Sequence, residues 1–259
     1  MIKVENIRTY GWAEAIRGMR NPLNSWSKSD SWSAADNPCL CNEDFENCKQ
    51  NGRIPELAEW PETCPCSYSS DPYAAFYVGD NDMDLMIRLR KAGTDHRKYL
   101  RMISVYMDIT APMYWWSEFD TYKVGTVANS CSKMHKLLAK PFEVSDFSFD
   151  QLANVPQGIQ SKEVADNLVK VLNDLRDMWL EMQHDEASDS RDGVKKSIWY
   201  SILQLLPNSY NQKRTVMLNY EVLNNMYASR KRHKLDEWRE FCRVIESLPY
   251  ATYLIAAQQ

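Results

Sequence analysis

The residue types that could do chemistry are concentrated in residues 120–132, a polar segment carrying Thr, Tyr, Lys, Asn, Ser and Cys side chains. At such short spacing these groups supply hydrogen-bond donors and acceptors for a polar or anionic ligand. An aromatic run stands immediately before it: Tyr114, Trp115, Trp116 and Phe119. A strand that delivers such a segment is typical of a scaffold that presents a site. The alternative, an ordinary surface segment, stays open on this pattern alone.

The cysteines form a second group of reactive side chains. The chain has 7 Cys, of which five lie close together: Cys39, Cys41, Cys48, Cys64 and Cys66. Both close pairs are CxC, whereas zinc sites typically separate paired ligands by two to four residues. Free thiols or a disulfide are therefore alternatives to a zinc site. Because an odd number of cysteines cannot pair completely and the N-terminus lacks an apolar export signal, we expect reduced thiols and a cytoplasmic location.

A basic stretch connects these two groups. It contains His96 among six cations: Arg88, Arg90, Lys91, Arg97, Lys98 and Arg101. Cations near a helix C-terminus are favourable without any ligand, so a solvated surface is one interpretation. An anion site for phosphates is the other.

The elements that must position these residues begin ahead of the polar segment. Residues 103–109 alternate between apolar and polar side chains, which predicts a half-buried strand, and Pro112 ends its regular pairing. We also predict a strand over residues 1–10 and a helix over 13–20. A further helix is predicted from Asn81, as its N-cap, to Gly93.

The C-terminal half is predicted to be helical. Apolar spacing indicates helices over residues 161–182 and 194–206, and then over about 215–231 and 235–247. The apolar stripe of the first of these is predicted to be core: Val164, Leu168, Val171, Leu172, Leu175, Met178, Trp179 and Met182. The expected fold class is α+β, with a mixed strand and helix N-terminal half around a central strand and a helical C-terminal half.

Composition narrows the classes of function. A net charge of -4 argues against a general nucleic-acid binder, which needs a basic face. There is no apolar run long enough to span a membrane, so no membrane partner is expected. The Gly-rich fingerprints GxGxxG and GxxxxGK[ST] are absent from the sequence. We expect residues 1–259 to form one domain with a Cys-rich irregular insert at about 23–80.

The region around the central strand resembles flavin-dependent thymidylate synthases. That family has a strand ending in Ala-Pro, an aromatic-rich turn and the motif RHRxxSxNExSxR. Here Ala111-Pro112 is followed without a gap by residues 113–119, and the motif window falls on residues 121–133, TYKVGTVANSCSK. The differences from the family residues are Glu118 for Gln, Thr121-Tyr122-Lys123 for Arg-His-Arg, Asn129 for Glu, Cys131 for Ser and Lys133 for Arg.

The resemblance continues downstream. Leu206-Pro207 resembles the Leu-Pro pair that ends a helix in the family, although an Arg expected just before it is Leu203 here. An ungapped register from that pair places Asn219, Asn225 and Arg230 on the family's Asn, Asn and Arg. The resemblance covers residues 81–259, leaves residues 23–80 unmatched, and is closest to phage-borne members of the family.

The resemblance implies transfer of a folate-borne one-carbon unit to dUMP, giving dTMP. It implies FAD as cofactor, methylenetetrahydrofolate and NADPH as co-substrates, and a homotetramer with sites between subunits. The implied nucleotide-binding residues are Glu118, Asn129, Ser130, Cys131, Ser132, Lys133 and Arg230. The implied flavin-binding residues are His96, Thr121, Tyr122, Lys123, Asn219 and Asn225. No enzyme nucleophile is implied, because such a protein supplies orientation and electrostatics around the cofactor.

Two positions and the function as a whole have alternatives. If Glu118 faces the base, an accept-only carboxylate favours a ring that presents donors, such as the cytosine amino group of dCMP; otherwise it points at solvent or a Lys. Cys131 is either a thiol activated by Lys133 or a small, partly buried packing residue. The alternative function is a pyrimidine-nucleotide-binding protein that kept the fold and lost flavin chemistry.

Overall fold

The computed structural model describes residues 2–33, 76–132, 136–154, 161–182 and 189–257, with side chains left out at 153, 161 and 189–191. The five clustered cysteines, most of the predicted insert and Lys133 lie outside the described residues, so the zinc prediction and the role of Lys133 stay predictions.

The described chain contains strands and helices mixed along its length. The strands are β1 (Lys3–Tyr10), β2 (Trp32–Ser33), β3 (Phe76–Tyr77), β4 (Ser104–Pro112), β5 (Val127–Ser130) and β6 (Asn211–Asn219). The helices are α1 (Trp12–Arg20), α2 (Asp80–Lys91), α3 (Met113–Phe119), α4 (Ser161–Glu181), α5 (Asp189–Leu205), α6 (Tyr220–Arg230), α7 (Asp236–Glu246) and α8 (Ala251–Leu254). Within the described part of the chain, none of these helices has the length and apolar character needed to cross a membrane.

The central strand is β4, as the alternation predicted. It pairs antiparallel with β1 and β6 in a four-stranded sheet of order β1-β4-β6-β5, while β2 and β3 pair separately. Val105, Met107 and Ile109 are buried against the helices, and the pairing ends where Pro112 meets Asn211. The α+β class is therefore confirmed.

One predicted helix has the wrong start. Residues 211–219 form strand β6, whereas the sequence predicted a helix from about 215. Val216 and Leu218 alternate with more exposed neighbours, and pairing with both β4 and β5 satisfies the backbone of most of the strand. Helix α6 begins only at Tyr220, because the Asn219 side chain accepts from the Val222 N–H at 3.0 Å and caps it.

The aromatic run forms a helix rather than a turn. Helix α3 follows directly on Pro112, and its aromatic residues Trp115, Trp116 and Phe119 are buried. The indole Nε1 of Trp116 donates to the Gln212 carbonyl at 2.9 Å, so the helix is fixed to β6 by a buried hydrogen bond. The polar segment after α3 also contains regular structure, since residues 127–130 form the edge strand β5.

Helices α4 and α5 pack on each other around a second hydrophobic cluster. Leu172, Ile198 and Ile202 are buried in it. The predicted core stripe is partly wrong, because Val164, Val171 and Met178 are 66%, 44% and 47% exposed. Their seven-residue spacing places them along one line of α4, beside the line that packs on α5.

Helix α2 is held at its start by a side chain from a distant part of the chain. The predicted N-cap Asn81 is wrong, since the helix begins at Asp80 with Gly79 in the capping position. The carboxylate of Asp30 accepts from the N–H groups of Asn81 at 2.9 Å and Asp82 at 3.2 Å, which satisfies donors at the helix start. This contact could not be found from local sequence because it spans about 50 residues.

Candidate functional site

Helix α6 is where the predicted site residues meet. Its first turn contacts the turn at residues 120–126, its middle contacts Arg97, and its last residue, Arg230, contacts α3. Three segments that are far apart in sequence therefore converge on one helix of 11 residues.

Arg230 is the centre of a compact group of five side chains, the Arg230 cluster: Glu118, Tyr122, Arg230, His233 and Trp238. The guanidinium donates from Nη1 to Glu118 Oε2 at 2.5 Å and from Nε to the Tyr122 hydroxyl at 3.0 Å. It lies over the Trp238 ring, 4.8 Å from the centroid, which adds a cation–π contact. Its side chain is only 18% exposed.

The remaining members of the Arg230 cluster fix the carboxylate. Trp238 Nε1 donates to Glu118 Oε2 at 3.0 Å, and His233 Nε2 lies 3.3 Å from the same oxygen. The N–H of Leu235 donates to His233 Nδ1 at 3.2 Å, which orients the imidazole. The expectation that Glu118 points at solvent or a Lys is therefore wrong, because it is ion-paired with Arg230.

The turn after α3 closes over the start of α6. Gly125 has a φ of +81°, and a Cβ there would lie 2.9 Å from Asn219 Nδ2, so the turn and the helix start are in close contact. Thr121 donates from Oγ1 to the Glu118 carbonyl at 2.7 Å, and Tyr122 contacts Arg230, whereas Lys123 is exposed. Of the triplet that aligns with Arg-His-Arg, two side chains are thus engaged within the chain.

His96 lies in an exposed turn whose next residue is bound to α6. Arg97 donates from Nε and Nη2 to Glu221 Oε1 at 3.2 and 3.0 Å, and from Nη2 to Asn225 Oδ1 at 3.5 Å. Glu221 is buried, so this pair holds the turn firmly, while Asn225 is exposed. The pairing also shows that Arg97 is neither purely solvated nor free for a phosphate.

The remaining predicted nucleotide-binding residues lie along the edge strand. Asn129 and Ser130 pair with Thr215 and Arg214 in the sheet, and both side chains are exposed. Cys131 donates its N–H to the Lys213 carbonyl at 3.1 Å, and its own carbonyl accepts from Gln212 at 3.0 Å. Cys131 is exposed, so its interpretation as a partly buried packing residue is wrong. Ser132 follows at the end of the described segment.

A cleft of about 640 Å³ runs beside the Arg230 cluster, between α3, α7 and residues 148–151. Tyr114, one turn before Glu118 on α3, donates its hydroxyl to the buried Glu237 at its wall. Burial, together with this carboxylate, raises the pKa of Tyr114 well above its ordinary value. The size of the cleft is that of a small-molecule site.

The structure brings some predicted residues together and leaves others apart. Glu118, Tyr122 and Arg230 are in direct contact. His96 and Asn225 are linked through Arg97. The edge-strand residues have no contact with the Arg230 cluster among the recorded hydrogen bonds of the described residues.

Sequence reasoning missed three members of this region. His233 and Trp238 complete the Arg230 cluster, and Glu221 binds Arg97. A usable signal existed for Glu221, because it lies four residues before Asn225 and so shares its helix face. His233 and Trp238 belong to a charged inter-helix turn and an amphipathic helix, patterns that by themselves indicate only surface and core.

Two solved structures are similar to this chain over nearly its whole length. Both are thymidylate synthase X from Helicobacter pylori with FAD and dUMP. The first is 14% identical, covers 98% of this chain and 97% of its own, and gives a TM-score of 0.56. The second is 15% identical, with coverages of 97% and 98% and a TM-score of 0.55. The fold is that of thymidylate synthase X.

The similarity to thymidylate synthase X was detected by comparing structures, and the sequence identity is only 14–15%. No protein-family model and no curated protein matches the chain. The resemblance inferred from the motif is thus confirmed at the level of the fold. What the Helicobacter pylori proteins bind is a property of those proteins, and the ligands of this chain are a separate question.

Three of the residues that the resemblance assigns to a flavin nucleotide keep exposed polar groups in this thymidylate synthase X fold. His96, Lys123 and Asn225 present an imidazole, an ammonium and an amide, and all three side chains are exposed to solvent rather than buried. Such donors suit a diphosphate and the polar edge of a ring. The chemistry of these three residues is therefore compatible with the polar groups of FAD.

Proposed function

We propose that this protein catalyses flavin-dependent one-carbon transfer to a deoxypyrimidine monophosphate, converting dUMP to dTMP. Its cofactor is reduced FAD, and its co-substrates are methylenetetrahydrofolate and NADPH. The observation that carries the proposal is the convergence of the 96–97 turn, the 120–126 turn and α3 on helix α6, in a chain with the fold of thymidylate synthase X.

The residue roles in this proposal are those that the family resemblance implies. His96, Thr121, Tyr122, Lys123, Asn219 and Asn225 border the flavin. Glu118, Asn129, Ser130, Cys131, Ser132, Lys133 and Arg230 border the nucleotide. Bound FAD supplies the redox chemistry, while the protein orients the reactants and excludes water.

The exposed cations and amides in these two sets bind ligand groups by charge and hydrogen bonding and do not act as nucleophiles. Lys123 offers a mobile ammonium to a phosphate oxygen, and Asn225 offers an amide that can both donate and accept. Arg97 keeps the turn of His96 against α6, since its hydrogen bonds to the buried Glu221 fix the turn's position. None of these binding and positioning roles requires a covalent bond between the ligand and the protein.

A homotetramer with sites between subunits is part of the proposal. Support comes from α4, where Val164, Val171 and Met178 form an exposed apolar line. Large side chains of this kind are usually covered in a stable assembly.

The second candidate is a pyrimidine-nucleotide-binding protein without flavin chemistry. One observation favours it: Thr121 and Tyr122 are engaged by Glu118 and Arg230 within the chain, so two of the three triplet side chains already have partners. Under this alternative the nucleotide binds and no flavin does.

The experiment that separates the two candidates uses the purified full-length protein. The absorbance spectrum is recorded with and without added FAD, and dTMP is then measured by mass spectrometry after incubation with dUMP, methylenetetrahydrofolate, NADPH and FAD. We expect a flavoprotein spectrum and dTMP. Protein that stays colourless after reconstitution, yet binds dUMP in calorimetry, would support the second candidate instead.

Asn225→Ala supplies the matched test of the flavin face. It removes one exposed amide and is expected to weaken FAD binding about tenfold, the scale of one to two hydrogen bonds. Asp84→Ala, an equally exposed change on α2, is the control and should leave FAD binding unchanged. Equal FAD affinity in both variants would remove Asn225 from the site.

A further inference from the structure

Two nitrogens of the Arg230 guanidinium already donate to side chains of the same chain. Its Nη1 donates to Glu118 and its Nε donates to Tyr122, at 2.5 and 3.0 Å. An arginine grips a phosphate best with two adjacent N–H groups acting together. Each of the two guanidinium edges that could bind a phosphate with two donors, Nε with Nη2 and Nη1 with Nη2, therefore already has one of its nitrogens engaged within the chain.

The charge of Arg230 is compensated as well. Glu118 Oε2 also accepts from Trp238 Nε1 at 3.0 Å, so the carboxylate is held in place and does not swing away freely. A phosphate that approaches the guanidinium meets the Glu118 carboxylate at the same time. Attraction to one charge is offset by repulsion from the other.

We propose that Glu118 is a specificity-determining residue that withholds Arg230 from the nucleotide phosphate. In this arrangement Arg230 is a positioning residue, which holds Glu118 and Tyr122, and the phosphate is bound by other groups. The inference rests on the proposed nucleotide site and changes the role that the resemblance implies for Arg230. Replacing the carboxylate with an amide should convert Arg230 into an anion-binding group.

The expected size follows from Coulomb's law. Two unit charges about 6 Å apart change an affinity by between roughly 3-fold and roughly 100-fold, depending on the effective dielectric near the protein surface. Because Glu118 is 33% exposed, the effect lies between these limits. We expect Glu118→Gln to raise anion affinity about tenfold at low ionic strength.

The experiment titrates wild type and Glu118→Gln with three probes by calorimetry: inorganic phosphate, dUMP and deoxyuridine. The variant is expected to bind inorganic phosphate and dUMP about tenfold more tightly, with deoxyuridine affinity changed less than about twofold. A purely structural role of Glu118 would move all three probes together. Thermal melts of each variant establish that the chain is folded.

Two further variants isolate the charge. Tyr122→Phe also removes one partner of Arg230 but leaves the charge of the Arg230 cluster unchanged, so its phosphate affinity should stay within about twofold of wild type. Arg230→Gln added to Glu118→Gln should abolish the gain. If the gain survives without Arg230, the anion is bound elsewhere and the inference is overturned.

The outcomes for the inference and for the proposed function are separable. Phosphate affinity that is the same in wild type and Glu118→Gln, including no measurable binding by either, overturns the inference, because releasing Arg230 then creates no anion site. Wild-type protein that binds neither dUMP nor deoxyuridine contradicts the proposed function. A gain for inorganic phosphate in Glu118→Gln would still support the inference in that case.

Discussion

Removing the carboxylate of Asp82 is predicted to be among the most damaging single changes on α2. Asp82 is fully buried and forms an ion pair with Arg20, whose Nε lies 2.5 Å from Asp82 Oδ1. Asp82 Oδ2 also accepts from the hydroxyls of Ser29 and Ser31, each at 2.7 Å, and from the backbone N–H groups of Asp30 and Ser31, each at 3.1 Å. Five donors in two segments, Arg20 at the end of α1 and residues 29–31, thus depend on one side chain.

The magnitude follows from what is left behind. Asp82→Ala leaves the guanidinium of Arg20, itself 4% exposed, without its counter-charge, and breaking a buried pair in this way costs about 3–5 kcal/mol. Asp82→Asn keeps the shape and one acceptor, so a smaller loss of about 1.5–3 kcal/mol is expected, the scale of a charged hydrogen bond. For a chain of this size, a loss of about 4 kcal/mol lowers Tm by roughly 8–16 °C.

The assay is equilibrium unfolding in urea followed by tryptophan fluorescence, supported by calorimetric Tm. Asp84→Ala is the matched control, since Asp84 is exposed on the same helix two residues away, and it should stay within about 0.5 kcal/mol of wild type. If Asp82→Ala costs no more than Asp84→Ala, then the buried network does not stabilise the fold and the reasoning is refuted.

A double variant tests whether the cost comes from the unpaired charge. Arg20→Ala alone leaves the Asp82 carboxylate buried and should also be strongly destabilising. When both side chains are removed no charge is left unpaired, so the combined loss should be clearly smaller than the sum of the single losses. Simple addition of the two would show that the residues act independently.

Two other predictions concern the sheet and the turn over α6. A hydrogen bond from Thr215, with others from Asn6 and Lys213, lowers the pKa of Asp108 to about 2 from 3.8. The stability that the ionised carboxylate adds is therefore present above about pH 3.8 and is lost as the pH falls towards 2. In urea unfolding, the difference in unfolding free energy between wild type and Asp108→Asn should therefore shrink between pH 3.8 and pH 2. A difference that does not change with pH would contradict this prediction. Gly125→Ala should destabilise the fold by about 1–3 kcal/mol, because Gly125 has a positive φ and a Cβ there would approach α6 closely. Gly193→Ala, in α5 where a Cβ meets no neighbouring atom, should instead stabilise it by about 0.5–1 kcal/mol. Equal effects of the two variants in thermal melts would refute this interpretation of the turn.

The elements with a strong period were predictable, and those fixed by distant partners were not. The bounds of strand β4 and of helices α4 and α7 lie close to those predicted, although part of the predicted apolar stripe of α4 is exposed. Residues 215–219 were predicted as the start of a helix but belong to strand β6, because pairing with β4 and β5 overrides the local pattern. The start of α2 was misplaced for the same reason, since the Asp30 carboxylate takes the place of a local cap.

For the candidate site, the motif assigned positions to ligands but could not show which side chains contact one another. Glu118, Tyr122 and Arg230 were assigned to ligands, and the structure places them in contact with one another. Sequence spacing could bring them to one region through the register of the family resemblance. It could not show that a carboxylate 112 residues from Arg230 lies within hydrogen-bond distance of it.

Three of the departures from the family motif, Glu118, Thr121 and Tyr122, form one connected set with Arg230. If the cationic triplet had simply eroded, Arg230 would retain an open guanidinium and Glu118 would have no reason to be a carboxylate. Instead, the hydroxyl of Tyr122 and the carboxylate of Glu118 accept from adjacent nitrogens of Arg230, and Trp238 supports both the ring contact and the carboxylate. Removing one member of this network leaves the others without their hydrogen-bond partners, which is costly where the side chains are largely shielded from solvent. Glu118 and Tyr122 therefore have partners within the chain, an arrangement that the resemblance alone did not imply.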